Sequence, residues 1–135
     1  MYTLKGGFSM SKRNILVCVT QQKTCERLIM NGYSMLEDER DKLYVIHVVN
    51  EKDSFFKDWT DADALEYLFG VSKKVGADLT VLRSKDIVET ISEFAKKNKI
   101  THILMGVSQN QDIADNQNIT FKLKKTLPKI KFYIL

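Results

Sequence analysis

A chain of 135 residues with 44% hydrophobic and 28% charged residues has the size and composition of one soluble globular domain. That excludes a disordered tract, a collagen-like repeat and a disulfide framework. No apolar run reaches the roughly 18 residues of a membrane helix, and residues 1–10 lack the apolar stretch and small-residue cleavage site of a secretory signal. The expectation is a cytoplasmic protein without membrane insertion. Its formal charge of +4 is local: five of the 21 Lys and Arg residues follow Asn116, where no acid occurs, which leaves 16 against 17 acids before it. A lysine tail without arginine or an interleaved aromatic stripe reads as a solvated helix face, not as a nucleic-acid footprint.

Residues 1–12 read as a poorly ordered N-terminal extension and residues 13–135 as the domain. Asn14–Val19 (NILVCV) is a short, continuous, β-branched apolar run, the pattern of a strand buried on both faces of a parallel sheet. Thr24 then stands as a helix cap before Cys25, Leu28, Ile29, Gly32 and Leu36, spaced by threes and fours. Leu43–Val49 (LYVIHVV) predicts a second strand, and the aperiodic stretch Asn50–Thr60 a long loop. Leu65, Leu68, Ser72 and Val75 mark the inner side of a second helix closed by Gly76. Leu79–Leu82 follows as strand three. Asp86 caps a third helix with core face Ile87, Val88, Ile91, Phe94 and Ala95. Strand four is Ile103–Met105; residues 107–118 read as a polar loop; a short helix carries Ile119, Leu123 and Leu127 up to Pro128; Ile130–Leu135 forms strand five. Alternating strands and helices demand an open parallel sheet with right-handed crossovers and helices on both faces.

Ligands of such sheets bind beyond the carboxyl ends of the strands, where the strand order reverses. No glycine-rich phosphate loop follows the first strand, and no acidic set for magnesium stands there. Cys18 and Cys25 have no partner at metal-ligand spacing and read as structural thiols. His47 reads as a hydrogen-bonded core histidine, and His102 as partly exposed without a role. No nucleophile–base pair or carboxylate pair reaches the strand ends, so no catalytic residue and no metal site are assigned.

Two stretches, Cys25–Val49 (CERLIMNGYSMLEDERDKLYVIHVV) and Phe69–Ser108 (FGVSKKVGADLTVLRSKDIVETISEFAKKNKITHILMGVS), together with RNILVCV at the first strand, resemble the universal stress protein superfamily. They are most similar to the universal-stress-like domain of KdpD-type potassium sensor kinases. The resemblance implies an α/β fold with five parallel strands in the order 3-2-1-4-5. ATP-binding members carry G-x2-G-x9-G-[ST] after the fourth strand. Here Gly106 and Thr120 match the ends of that motif, while Gln109 and Ile119 occupy the inner glycine positions. Thr20 replaces the base-binding Asp, and Gln21 and Gln22 stand where cyclic-dinucleotide receivers carry a serine pair.

The resemblance implies a ligand site at Thr20, Gln21, Gln22, Val48, Gly106, Ser108, Gln109 and Thr120. Phe55, Phe56 and Trp59 either cover it or pack on the second helix. The candidate ligand is a nucleotide or cyclic dinucleotide, with no cofactor assigned. Three readings stay open: a non-catalytic regulatory or small-ligand-binding module, an ATP-binding protein with slow ATPase activity, and a dimeric interaction protein with a vestigial pocket. A homodimer through Ile130–Ile134 is expected because that strand ends at a sheet edge.

Overall fold

The computed structural model describes residues 12–19, 22–51, 60–106 and 113–135. Along them run β1 (Asn14–Cys18), α1 (Gln22–Ser34), β2 (Lys42–Asn50), α2 (Asp61–Lys74), β3 (Asp78–Ser84), α3 (Ile87–Lys97), β4 (His102–Met105), α4 (Ile113–Thr126) and β5 (Lys131–Ile134). The strands form one parallel sheet in the order β3-β2-β1-β4-β5, the order the resemblance implied. Among the described residues no helix is long and apolar enough to cross a membrane.

β1 is the central strand, and its side chains alternate between two cores because successive residues of a strand point to opposite faces. Ile15, Val17 and Val19 meet Cys25, Leu28 and Ile29 of α1 and Ala64, Leu68 and Val71 of α2. Leu16 and Cys18 meet Ile91 and Ala95 of α3, with Leu123 and Leu127 from the last helical segment. The uninterrupted apolar run of β1 is therefore a strand covered twice, as its sequence predicts.

Several boundaries differ from the sequence reading. α1 begins at Gln22, so Thr24 lies inside the helix and is not its cap; a βα connection this short brings the helix down early enough to lay Cys25 and Leu28 on the sheet. On α2, Leu68, Ser72 and Val75 face inward as expected, but Ala64 takes the place of Leu65. Ala64, Leu68, Val71 and Ser72 are buried, whereas Leu65 is 36% exposed; both sets have helical spacing, and the small Ala64 permits the closer approach. β3 runs from Asp78 to Ser84, beyond the apolar Leu79–Leu82, since an edge strand pairs through its backbone and tolerates polar ends. α4 starts at Ile113, inside the stretch read as loop. Asn116, Gln117 and Asn118 offer no apolar residue to mark a helical period, so the sequence carried no signal for those turns.

The caps fit their chemistry. Thr60 accepts the N–H of Asp63 at 3.1 Å at the start of α2, and Asp86 accepts that of Glu89 at 3.0 Å at the start of α3. Gly76 follows α2 with φ +68°, a conformation that glycine adopts without penalty. Gly70 lies within α2 at an exposed position where an added Cβ would meet nothing within 4 Å. Gly70→Ala is therefore expected to stabilise the protein by about 0.5–1 kcal/mol, read from the denaturation midpoint, because alanine fixes the unfolded chain less expensively in a helix.

At the amino-terminal edge of the sheet, Asn14 donates through Nδ2 to the carbonyls of Asn98 (3.2 Å) and Lys99 (3.0 Å), holding the end of α3 against β1. Beside it, His102 is buried, not partly exposed as its place at a strand start suggested. Its Nδ1 is 2.6 Å from the Thr101 hydroxyl and its ring stacks on Tyr133 of β5 at 6.0 Å. Burial, then Arg13 and Lys131, holds this imidazole below its ordinary 6.5, against the weaker opposing influence of Asp41 and Glu37. An unfolded chain thus takes up the proton first. Stability contributed by neutral His102 is complete above about pH 6.5 and falls on acidification until the folded-state pKa is passed. Chemical denaturation at a series of pH values should show this slope in the parent protein and a flatter one in His102→Gln.

Candidate functional site

Strand order reverses between β1 and β4, because the chain leaves β1 for α1 on one face and leaves β4 for α4 on the other. Their carboxyl ends therefore diverge into a crevice, the position at which open parallel sheets take ligands. The β1 wall is fixed by two bonds. The Val19 N–H donates to the carbonyl of Ile46 at 2.9 Å, and the Val19 carbonyl lies 2.6 Å from Nδ1 of His47. His47 is 1% exposed, so the core histidine expected from sequence is a brace for the exit of β1. On the β4 wall, Met105 accepts the N–H of Leu135 through its carbonyl at 2.9 Å. The Thr120 hydroxyl of α4 lies 3.9 Å from the sulfur of Met105, the last residue of β4 before Gly106.

Of the residues assigned from sequence, Thr120 touches the last residue of β4, and Gly106 is half-buried where that strand ends. Gln22 opens α1 on the opposite side of the crevice. Val48 is 8% exposed, with its side chain in the core beneath α3 and α4, so it faces the protein interior. Thr20, Gln21, Ser108 and Gln109, and the aromatic trio Phe55, Phe56 and Trp59, lie outside the described residues. Ile119 is half-buried against the α3/α4 core and is the seventh residue of α4. At that depth its N–H is spent on the carbonyl four residues back. The motif position that carries glycine in ATP-binding relatives is therefore helix interior in this chain.

The rim holds a contact that the sequence did not disclose. Arg83, near the end of β3, reaches Asp61 in the first turn of α2 at 2.6 Å. Beside it the Thr90 hydroxyl donates to Ser84 Oγ at 2.7 Å, locking the end of β3 to the start of α3. Neither thiol belongs to a reactive site: burial pushes both Cys18 and Cys25 up to about 12, with Glu26 adding to the effect at Cys25. Among the described residues no group of three His, Cys, Asp or Glu side chains is arranged to hold a metal ion. Two grooves formed by the described residues lie on the helical faces and not at the strand ends, one of about 680 Å³ between α1 and α2 and one of about 440 Å³ between α3 and α4.

The profile described as the universal stress protein family matches residues 12–115. The chain belongs to that family. Among solved structures, a universal stress protein from Archaeoglobus fulgidus is similar over 92% of this chain and 98% of its own, at 15% identity and a TM-score of 0.62. A complex of an Archaeoglobus fulgidus universal stress protein with dAMP matches over 93% and 98%, at 17% identity and 0.58. A universal stress protein in complex with cAMP matches over 91% and 94%, at 12% identity and 0.57. Likeness at these identities establishes the shared fold. No curated protein matches the chain. The universal stress protein family membership agrees with the crevice geometry: five parallel strands with the reversal between β1 and β4.

Proposed function

We propose that this universal stress protein is a non-catalytic regulatory module that binds a small ligand, an adenine mononucleotide or a molecule of that size, in the crevice between β1 and β4. The observation that carries the reading is the contact of Thr120 with Met105, the last residue of β4 before the half-buried Gly106, opposite the braced end of β1. A half-buried glycine leaves room for a ligand's approach, and a hydroxyl adds a donor and an acceptor. Two structural relatives are described in complex with dAMP and cAMP, ligands with a single phosphate. A crevice without a glycine-rich phosphate loop suits such ligands better than a triphosphate. Within the family the chain's CERLI, VGADL and DIVETISEFAK segments favour kinship with KdpD-type sensor domains, and the same reading puts the protein in the cytoplasm.

The partner most favoured is a second copy. β5 pairs with β4 on one side only, and Tyr133, Ile134 and Leu135 are 37–39% exposed along it. Native mass spectrometry tests both parts in one experiment. A protein that retains an adenine mononucleotide and runs at twice 15.6 kDa supports them; a monomer that takes up no mononucleotide in titration sinks both.

A further inference from the structure

The ends of α3 and α4 gather positive charge that the sequence scatters. In a parallel sheet each helix runs back to the amino edge before the next strand starts, so these helix ends and the starts of β4 and β5 share one end of the molecule. Lys96 and Lys97 stand in the last turn of α3, and Lys124 and Lys125 in the last turn of α4. Lys99 is held at the start of β1 by the bond from Asn14 Nδ2 to its carbonyl at 3.0 Å. Lys131 opens β5 opposite His102, and its N–H donates to the carbonyl of Thr101 at 3.1 Å. Lys122 and Lys129 complete the set, and all eight lysines are exposed. Residues 94–106 and 116–135, which supply these eight, contain no acid, and the rest of the chain is left with 13 basic residues against 17 acidic ones.

None of the eight forms an ion pair among the described residues. Acids at the same edge serve other partners: Glu37 pairs with Arg13 at 3.2 Å, Asp38 with Arg40 at 3.0 Å, and Asp41 accepts the N–H groups of Arg13 and Glu37. Glu93, one turn before Lys97, bounds the patch on α3. Helix dipoles favour lysine in a last turn, but Lys99, Lys129 and Lys131 lie outside the helices. Phe121 gives the patch an apolar centre. It is 61% exposed, the Lys125 ammonium lies over its ring at 5.5 Å, and Lys124 shares that side of α4. α2 supplies the comparison: Phe69 is 59% exposed beneath Lys73 at 5.9 Å, but Asp61, Asp63 and Glu66 on the same helix cancel its charge.

We propose that the α4 end of this protein docks peripherally on an anionic phospholipid bilayer. Lysine ammoniums on flexible stems around an exposed ring suit a layer of anionic headgroups: the ring enters the headgroup boundary, and each lysine near the surface strengthens binding about fivefold. Nucleic acid is the poorer match, because the patch lacks the arginine forks that grip phosphate bidentately. Docking of this kind uses no spanning segment. The β1/β4 crevice opens at the opposite, carboxyl edge of the sheet, so the fate of one assignment leaves the other intact.

Co-sedimentation of the full chain with vesicles tests this. Vesicles of phosphatidylcholine and phosphatidylglycerol in equal parts should carry the protein down at low salt and release it at high salt, whereas phosphatidylcholine alone should leave it in solution. Phe121→Ala, at an exposed position, should weaken binding about tenfold. Lys124→Gln with Lys125→Gln should weaken it about twenty-fivefold. Lys73→Gln with Lys74→Gln, an equal loss of net charge at the end of α2, should change it less than about threefold. Failure to sediment with the anionic vesicles, equal binding to both kinds, equal losses for the two lysine pairs, or unchanged binding in Phe121→Ala overturns the assignment. Tighter binding to duplex DNA or single-stranded RNA than to the anionic vesicles at the same ionic strength overturns it in favour of a nucleic-acid surface.

Discussion

Gly32→Ala is expected to cost this fold about 1–3 kcal/mol, although alanine is the better helix former by nearly 1 kcal/mol. Gly32 sits in α1 on the side that faces the sheet. A Cβ built there would lie 2.6 Å from Val17 Cγ2 and 3.0 Å from Leu43 Cδ1. Neither neighbour yields easily. Val17 is fully buried in the central strand and β-branched, so its χ1 has little freedom, and Leu43 is 3% exposed in the adjacent strand. The helix has to lift or the strand side chains have to leave their rotamers, and either opens space beside Ile15 and Leu28. Equilibrium denaturation of Gly32→Ala beside Gly70→Ala gives a check with internal control. Two glycine-to-alanine changes in exposed and sheet-facing helix positions should move the midpoint in opposite directions, and a gain in stability for Gly32→Ala would show that α1 packs farther from β1 than described.

What the sequence made legible follows from where the physics is local. NILVCV and LYVIHVV mark buried parallel strands because burial on both faces leaves no polar alternation, and the observed β1 and β2 agree within a residue or so at each end. α3 was legible because five apolar residues share one face behind an Asp cap, and all five lie in the α3/α4 core. Elements whose sequence carries no apolar period were harder. The early turns of α4 pass through Asn-Gln-Asn, and helix and polar loop look alike there. The inner face of α2 missed only at Ala64 against Leu65, a choice that local hydrophobicity makes wrongly because close packing favours the smaller residue. In the crevice, Gly106 and Thr120 were nameable from a family motif, whereas the contact of Thr120 with Met105 needed the register of α4 on β4. The Arg83–Asp61 pair spans 22 residues and the His47–Val19 contact 28. Both exist because β1, β2 and β3 align as they do, which no window of sequence contains.

ATP is expected to bind this protein no more tightly than adenosine monophosphate, with neither reaching a low-micromolar dissociation constant through its phosphates. In a glycine-rich phosphate loop, successive backbone N–H groups converge on the β- and γ-phosphates, each worth about 1.5–3 kcal/mol for a charged acceptor, or roughly ten- to a hundredfold in affinity. Here the third glycine position is Ile119. Its N–H is committed to the helix and its side chain packs beneath α4, so that donor is lost to the ligand twice over. The lysines do not compensate: Lys122, Lys124 and Lys125 lie in the third and fourth turns of α4, away from the helix start that a phosphate would approach. Ile119→Gly therefore does not recreate an ATP site. It should instead destabilise the protein by about 2–3 kcal/mol, about 1 from glycine in a helix and the remainder from lost apolar contact, with no gain in ATP affinity. Titration calorimetry with ATP and adenosine monophosphate on the parent chain is the direct measurement. A low-micromolar ATP constant with a tenfold or greater preference over the monophosphate would mean that residues following β4 grip a triphosphate after all, and the ATP-binding reading with slow turnover would then displace the one argued here.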